Sequence, residues 1–317
     1  MTILVTGVAG FIGSNFVKQF KVKYPDVEVV GVDDFSSGRR EALLEDLVFY
    51  EGSITDKALL EKIFSNHKPD YVFHFAAVPR VSYSVEHPME TTDVNVTGTV
   101  ALLNTSRNHG VERFILSSSS SVYGGAKILP TKETENLPDP KSPYAAQKFC
   151  DEVFCKVFSS LYDMDTVALR YFNVYGPGQY GDSAYSTVIS AWLESLYFPE
   201  SKKAFIEGDG SQSRDFCYVD NVVSANILTM NASKKFNGEA FNIAHGERIS
   251  VNEVKDLLTE YTGKELNLER RPPRVGDVAH THADISKAKE WFGYEPSIDF
   301  KSGLKKAVAW FEERSKK

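Results

Sequence analysis

The chain has 317 residues and a formal net charge of −7, a length that allows one large domain or two ordinary ones. Hydrophobic residues at 42% and charged residues at 25% describe a globular chain and exclude a disordered or collagen-like one. The mild acidic excess argues against a general grip on nucleic acid or on an anionic membrane.

Taken in chain order, Thr2–Thr6 is a short apolar run ending in glycines, and Gly13–Tyr24 reads as a helix. Val27–Val32 is a second strand-like run, closed by Asp33 and Asp34. Tyr71–Ala77, Arg113–Ser118 and Thr166–Arg170 are further buried-strand candidates, and Thr91–His109 and Pro143–Leu161 are long helix candidates. Short strands alternating with longer helices predict an α/β fold: a Rossmann-like, doubly wound parallel sheet covered on both faces. Beyond residue 173 the segments shorten and turns multiply, which predicts a smaller C-terminal lobe. The expected division is 1–172 for a dinucleotide domain, with a returning segment near 214–243, and 173–317 mainly for substrate. In that lobe Ser250 and Glu253 have capping-box spacing, and Leu304, Ala307, Val308 and Phe311 share one face of a final helix.

No apolar run approaches the ~18 residues of a membrane span. No basic segment precedes the first apolar stretch, and that stretch is too short for a signal peptide, so none is expected. Cys150, Cys155 and Cys217 form no C-x-x-C pair, so the expectation is a reducing, cytoplasmic setting without a structural metal site.

Between the first strand and the first helix stands Gly7-Val8-Ala9-Gly10-Phe11-Ile12-Gly13. Glycines there permit a tight turn and let backbone approach a pyrophosphate, which the helix N-terminus then holds. The spacing is G-x-x-G-x-x-G rather than the general G-x-G-x-x-G. Asp33, at the end of the second strand, offers a carboxylate to ribose hydroxyls and would repel a 2′-phosphate. That favours NAD over NADP, with Arg39 and Arg40 nearby as the counter-indication.

In Ser142-Pro143-Tyr144-Ala145-Ala146-Gln147-Lys148, Ser142 is a candidate N-cap and Pro143 suits the first helical position. Tyr144 and Lys148 then share one face. An ammonium about 6 Å from the phenol, at an effective dielectric of about 20, favours the phenolate by roughly 3 kcal/mol, or about two pKa units. The expectation is a phenol brought down towards neutrality and able to exchange protons. The serine run Ser117–Ser121 offers hydroxyls at the C-terminal edge of the sheet, where ligands of open α/β folds bind.

Together with Val122-Tyr123-Gly124, Arg170–Pro177, Ser213–Asp220 and Arg274-Val275-Gly276-Asp277, these motifs resemble an extended short-chain dehydrogenase/reductase of the nucleotide-sugar 4-epimerase type. The resemblance covers essentially the whole chain and is strongest to UDP-N-acetylglucosamine and UDP-glucose 4-epimerases. It implies bound NAD, a UDP-sugar substrate and C4 inversion through a 4-keto sugar. It makes Tyr144 the proton acceptor, Ser119 the hydroxyl at the sugar O4, and Lys148 the partner of both Tyr144 and the cofactor ribose.

By the same resemblance, Phe75, Ala76 and Ala77 pass under the cofactor and Asn95 and Tyr171 lie near it. Phe172 stands beside Tyr171 at the strand end. Asn173, Arg214, Arg274 and Asp277 hold the UDP moiety, and Thr281 gates N-acetyl sugars. A small residue at that gate leaves room for a 2-acetamido group. Three departures stand out. Ser53 replaces an adenine-contacting Asp, Pro79 replaces a frequent lysine, and Arg80 has no assigned role.

Ser120 and Ser121 occupy the places where related dehydratases carry Asp and Glu, which argues for epimerisation over dehydration. UDP-glucuronate epimerisation stays open, and so does a non-catalytic NAD-binding sensor. The resemblance also implies a homodimer formed through the helices of Thr91–His109 and Pro143–Leu161.

Overall fold

The computed structural model describes residues 1–183, 186–201, 203–272 and 278–316. The sheet begins with β1 (Thr2–Thr6), α1 (Phe11–Lys23), β2 (Glu28–Asp33), β3 (Val48–Glu51), α2 (Lys57–His67) and β4 (Tyr71–His74). A helical run follows as α3 (Val81–Glu86), α4 (Pro88–Thr92), a wide π-type turn over Asp93–Gly98, and α5 (Thr99–Asn108). Then come β5 (Arg113–Ser119), α6 (Pro143–Tyr162) and β6 (Asp165–Tyr171).

The smaller lobe contributes β7 (Val174–Tyr175), α7 (Val188–Tyr197), β8 (Phe205–Glu207), β9 (Ser213–Arg214) and β10 (Cys217–Tyr218). The chain returns to the sheet with α8 (Val219–Asn231) and β11 (Glu239–Ile243). It closes with β12 (Ile249–Ser250), α9 (Val251–Thr262), β13 (Glu269–Arg271), α10 (Ser286–Phe292) and α11 (Phe300–Ser315).

Seven parallel strands run in the order β11-β6-β5-β4-β1-β2-β3. The predicted doubly wound sheet is therefore present. Its order reverses between β1 and β4, the place where open α/β sheets leave a crevice at their carboxyl ends. Alternate residues of each strand face opposite layers. Ile3 and Val5 of β1 pack with Phe16, Phe20 and Phe73 and with Val222 and Val223 of α8. Leu4 packs with Leu60, Phe64, Leu102 and Phe158 from α2, α5 and α6. A separate core in the smaller lobe joins Trp192, Tyr175, Leu258, Phe300, Leu304 and Phe311; Ala307 and Val308 are buried with it, so the apolar face predicted for the last helix is buried.

Several boundaries differ from expectation for identifiable reasons. The strand expected over Tyr71–Ala77 stops at His74 because the Thr6 hydroxyl, rather than a backbone carbonyl, accepts from the Ala76 N–H (3.2 Å). The helix expected over Thr91–His109 starts earlier, with Pro88 at its first turn, and is interrupted by the wide turn around Asn95. The Ser250–Glu253 capping box forms as the spacing predicted. Segments β3 and α2 went unread; α2 is capped by Asp56, whose carboxylate accepts from the Ala58 and Leu59 N–H groups.

Candidate active site

The glycine loop lies where β1 meets α1, at the point of reversal. Gly7 has φ +67°, and a Cβ built on it would stand 2.6 Å from the Ala76 nitrogen and 2.8 Å from the Phe75 carbonyl carbon. A Cβ on Gly13 would stand 2.2 Å from the Gly7 oxygen. The loop is thus pressed against the end of β4 with no room for a side chain at either place. Gly10 is the N-cap of α1 and supplies no side-chain cap. The first N–H groups of the helix therefore have no intrahelical acceptor, and Phe11, Ile12 and Gly13 line a cleft of about 1020 Å³.

The same cleft is lined by Gly7, Gly10, Asp33, Phe75, Ala76 and Ala77. The Asp33 carboxylate accepts from the Ala9 N–H (2.9 Å) and the Phe35 N–H (2.8 Å), tying the loop to the end of β2. Burial raises its pKa, and the two backbone donors oppose that. A cradle of bare backbone, an uncapped helix start and a carboxylate at the second strand end fit a dinucleotide.

Arg39 is taken up by Asp182 and by the Tyr180 ring, 3.7 Å from its guanidinium carbon. Arg40 pairs with Glu51 at 2.8 Å and covers the Phe35 ring. Both cations that counted against NAD are engaged within the protein. Ser53 also lines the cleft, as do Pro79 and Arg80.

The remaining expected cofactor contacts, Asn95, Tyr144, Lys148 and Tyr171, are not among the residues lining the cleft. Asn95 is buried in the wide turn. It accepts from the Val78 N–H (2.7 Å) and donates to the Val78 carbonyl (3.2 Å) and to Gln147 (2.8 Å), so it holds the loop after β4. The Tyr171 hydroxyl accepts from Ser117 (3.2 Å) and from Asn226 (2.9 Å). Phe172 is fully buried in a small cluster with Val122 and Tyr123.

Tyr144 opens α6 as its second helical residue. Ser142 accepts from the Ala145 N–H (3.2 Å) and Pro143 takes the first turn, as the spacing predicted. Sequence reasoning missed Ser84, whose hydroxyl accepts from the Tyr144 N–H (3.0 Å) and fixes this helix start against α3. Ser119, the last residue of β5, lies near enough to the phenol to lower its pKa, while its hydroxyl accepts from the Ser121 N–H (3.2 Å). Strand end and helix start thus bring two of the predicted catalytic side chains together, and Lys148 follows one turn below.

One expectation is overturned. The phenol is not brought down towards neutrality: burial pushes it up to about 12, and only Ser119 works against that. The ammonium of Lys148 is turned towards the buried carboxylate of Asp151, 3.7 Å away. It also pushes down the pKa of buried His74 on β4. The i,i+4 spacing placed the lysine correctly and could not show where its charge is spent.

On the other side, Asn173 donates to the Asp215 carbonyl (3.1 Å) and to the Thr281 hydroxyl (3.2 Å). That hydroxyl also accepts from the Asp215 N–H (3.1 Å). The Asp215 carboxylate, fully buried, accepts from His245, Gly246 and Ala283 and so joins three segments of the lobe. Arg214 donates to the Ser213 and Ala279 carbonyls at 3.0 and 3.2 Å. Asn173, Arg214 and Thr281 are therefore neighbours; Arg274 and Asp277 lie outside the described residues.

Comparison with known proteins shows the family and the fold. The model of the NAD dependent epimerase/dehydratase family matches residues 3–244. A UDP-glucuronate 4-epimerase from Thermodesulfobacterium geofontis is 36% identical over 321 residues, covering 98% of this chain and 96% of its own. The crystal structure of UDP-glucose 4-epimerase from Thermotoga maritima, with UDP-glucose, superposes with a TM-score of 0.93 at 40% identity and 99% coverage of both chains. A UDP-N-acetylglucosamine 4-epimerase from Methanobrevibacter ruminantium gives a TM-score of 0.90 at 36% identity, with 99% of this chain and 98% of that one covered. The chain belongs to the NAD dependent epimerase/dehydratase family, as an extended short-chain dehydrogenase/reductase of the nucleotide-sugar 4-epimerase type, an isomerase that works with NAD.

Proposed function

We propose that the chain interconverts the C4 epimers of a UDP-hexose, with UDP-N-acetylglucosamine and UDP-N-acetylgalactosamine as the principal pair and UDP-glucose and UDP-galactose as further substrates. The observation that carries this is the meeting of Ser119, at the end of β5, with the Tyr144 phenol at the start of α6.

When bound, NAD supplies the acceptor for the hydride on C4. Tyr144 takes the proton of the 4-hydroxyl, and Ser119 holds O4 and relays that proton. The charges of Lys148, one turn below, and of the oxidised nicotinamide would together favour the phenolate against the burial that raises the phenol. Loss of hydride and proton leaves a 4-keto sugar, which turns over within the pocket. Tyr144 returns the proton to O4 as the hydride returns to the opposite face of C4. No net oxidation occurs, so the cofactor serves turnover after turnover.

In this reading Gly7, Gly10, Phe11, Ile12, Gly13 and Asp33 hold the dinucleotide, with Phe75, Ala76 and Ala77 beneath it. Asn95 and Tyr171 support that wall from behind. Asn173, Arg214, Arg274 and Asp277 hold the UDP group, where guanidinium groups suit pyrophosphate oxygens. Residues 1–172 with the returning segment 214–243 form the NAD part, and 173–317 mainly the sugar-nucleotide part. Thr281 supports the N-acetyl preference: its side chain is short and its hydroxyl is tied back to Asn173 and Asp215.

UDP-glucuronate is the second reading, supported by the 36% identity to the UDP-glucuronate 4-epimerase above. A homodimer is supported by Val153, Val157 and Leu161, which stand exposed four residues apart along α6. Three free cysteines are consistent with a cytoplasmic place. Among the described residues no helix is long and apolar enough to cross a membrane.

Proton NMR of the purified protein with each UDP-sugar tests the proposal. Conversion of UDP-N-acetylglucosamine is the expected result. Conversion of UDP-glucuronate alone would overturn the substrate assignment, and no conversion of any UDP-sugar with NAD added would favour a sensor.

A further inference from the structure

Beneath the Tyr144–Lys148 pair lies a carboxylate with no task in the scheme above. Asp151 stands three residues past Lys148 on α6 and is fully buried. Its Oδ2 is 3.7 Å from the Lys148 nitrogen, beyond hydrogen-bond length, and neither oxygen has a hydrogen-bond partner among the described residues. A buried carboxylate without donors is retained only where a charge answers it.

The surrounding groups leave Lys148 as that charge. Glu152, next along α6, is committed to Arg170 of β6, which donates to both its oxygens (2.9 and 2.7 Å), and to Ser118 of β5. His74 faces the site from β4, bonded to Thr6 and Thr99 (2.7 and 2.8 Å), with burial and Lys148 both holding it neutral. The Asn95 side chain of the wide turn is spent on Val78 and Gln147. Cys155 on α6 is kept a thiol by burial, and burial also raises Cys150. The charges that act on Asp151 are Lys148, which attracts, and Glu152, which repels.

We propose that Asp151 is a positioning residue of the epimerase site: it holds Lys148 by charge and keeps the ammonium protonated in a place stripped of water. This rests on the roles given to Tyr144 and Lys148 under the proposed function. Burial works to remove the lysine proton, and Asp151 is the first force that opposes it. Burial in turn pushes the Asp151 carboxyl up to about 7, so the proton balance of the pair changes near neutral pH.

Asp151→Asn keeps the shape and removes the charge. With the holoenzyme and its UDP-sugar, the alkaline limb of kcat is expected to move down by at least about one pH unit. On the alkaline side of the wild-type limb, kcat should fall by about tenfold for each unit the limb moves, with KM within about twofold. Asp151→Glu should restore the limb.

A second readout needs no turnover. Infrared difference spectra of wild type minus Asp151→Asn should show a protonated carboxyl band that titrates near neutral pH. In Lys148→Met that band should persist to a pH at least about one unit higher. A wild-type pH profile in Asp151→Asn, or a carboxyl band unmoved in Lys148→Met, overturns the proposal. If the wild type turns over no UDP-sugar, the proposed function fails, and the infrared pair alone decides whether Asp151 and Lys148 are coupled.

Discussion

Replacing Gly7 by alanine tests whether the close approach of two backbones builds the cofactor cradle. Two costs are separable. The left-handed conformation, φ +67°, costs an alanine about 1–2 kcal/mol. The new methyl would meet three main-chain atoms, the Ala76 nitrogen at 2.6 Å and the Ala76 Cα and Phe75 carbonyl carbon at 2.8 Å. None can rotate away, so the loop and the end of β4 must part, at about 1–3 kcal/mol for an overfilled contact. Gly110 is the control: its φ is +73° with nothing within 4 Å of a built Cβ, so Gly110→Ala carries the conformational cost alone. Urea unfolding should show Gly7→Ala less stable by about 2–5 kcal/mol and Gly110→Ala by about 1–2 kcal/mol, with unchanged slopes. Calorimetric titration with NAD should show weakened binding only in Gly7→Ala. Equal losses in the two variants, or full NAD affinity in Gly7→Ala, would refute the argument that packing against β4 shapes the site.

Tyr144→Phe removes the phenol and leaves the buried ring, so kcat is expected to fall by about 10²–10⁴-fold while NAD still copurifies; near-normal turnover would remove the tyrosine from the chemistry. Asp182→Ala frees Arg39 from one side of the cleft. Both members of that pair are over one-third exposed, so screening limits it to about 1 kcal/mol and NAD release should quicken by roughly fivefold, read by stopped-flow fluorescence. Val157→Asp puts a charge on the exposed face of α6 and should shift sedimentation from dimer to monomer; an unchanged sedimentation coefficient would place any dimer contact elsewhere.

Local chemistry made much of this legible. Thr2–Thr6 is a strand to the residue, and Ser142, Pro143, Ser250 and Glu253 cap their helices as their side-chain chemistry dictates. What escaped depends on the rest of the molecule. β3 is a short edge strand with half-exposed faces, so its pattern carries no clear alternation. The wide turn that aims Asn95 at the loop after β4 leaves no mark in helical spacing. The Tyr144 phenol was misjudged because burial, which raises it, comes from tertiary packing. Asp151, which takes the lysine charge, looks in sequence like any polar helix residue; its i,i+3 spacing from Lys148 was the one available signal.

The return of the chain to the sheet bears on how this protein can be divided. β6 has β11 as its outer neighbour, register running from Val167 opposite Glu239 to Tyr171 opposite Ile243. Phe236, Phe241, Trp291 and Phe292 close over that side as one aromatic cluster. A fragment ending at residue 172 would lose all of these, together with the α8 side chains packed on α1. It would present β6 as a long, apolar, unpaired edge, a template for joining other chains. Excising residues 173–317 as a contiguous piece would therefore yield an aggregating sheet, and a fragment that keeps the seven-stranded sheet soluble would have to carry residues 219–243 and α10 spliced back on.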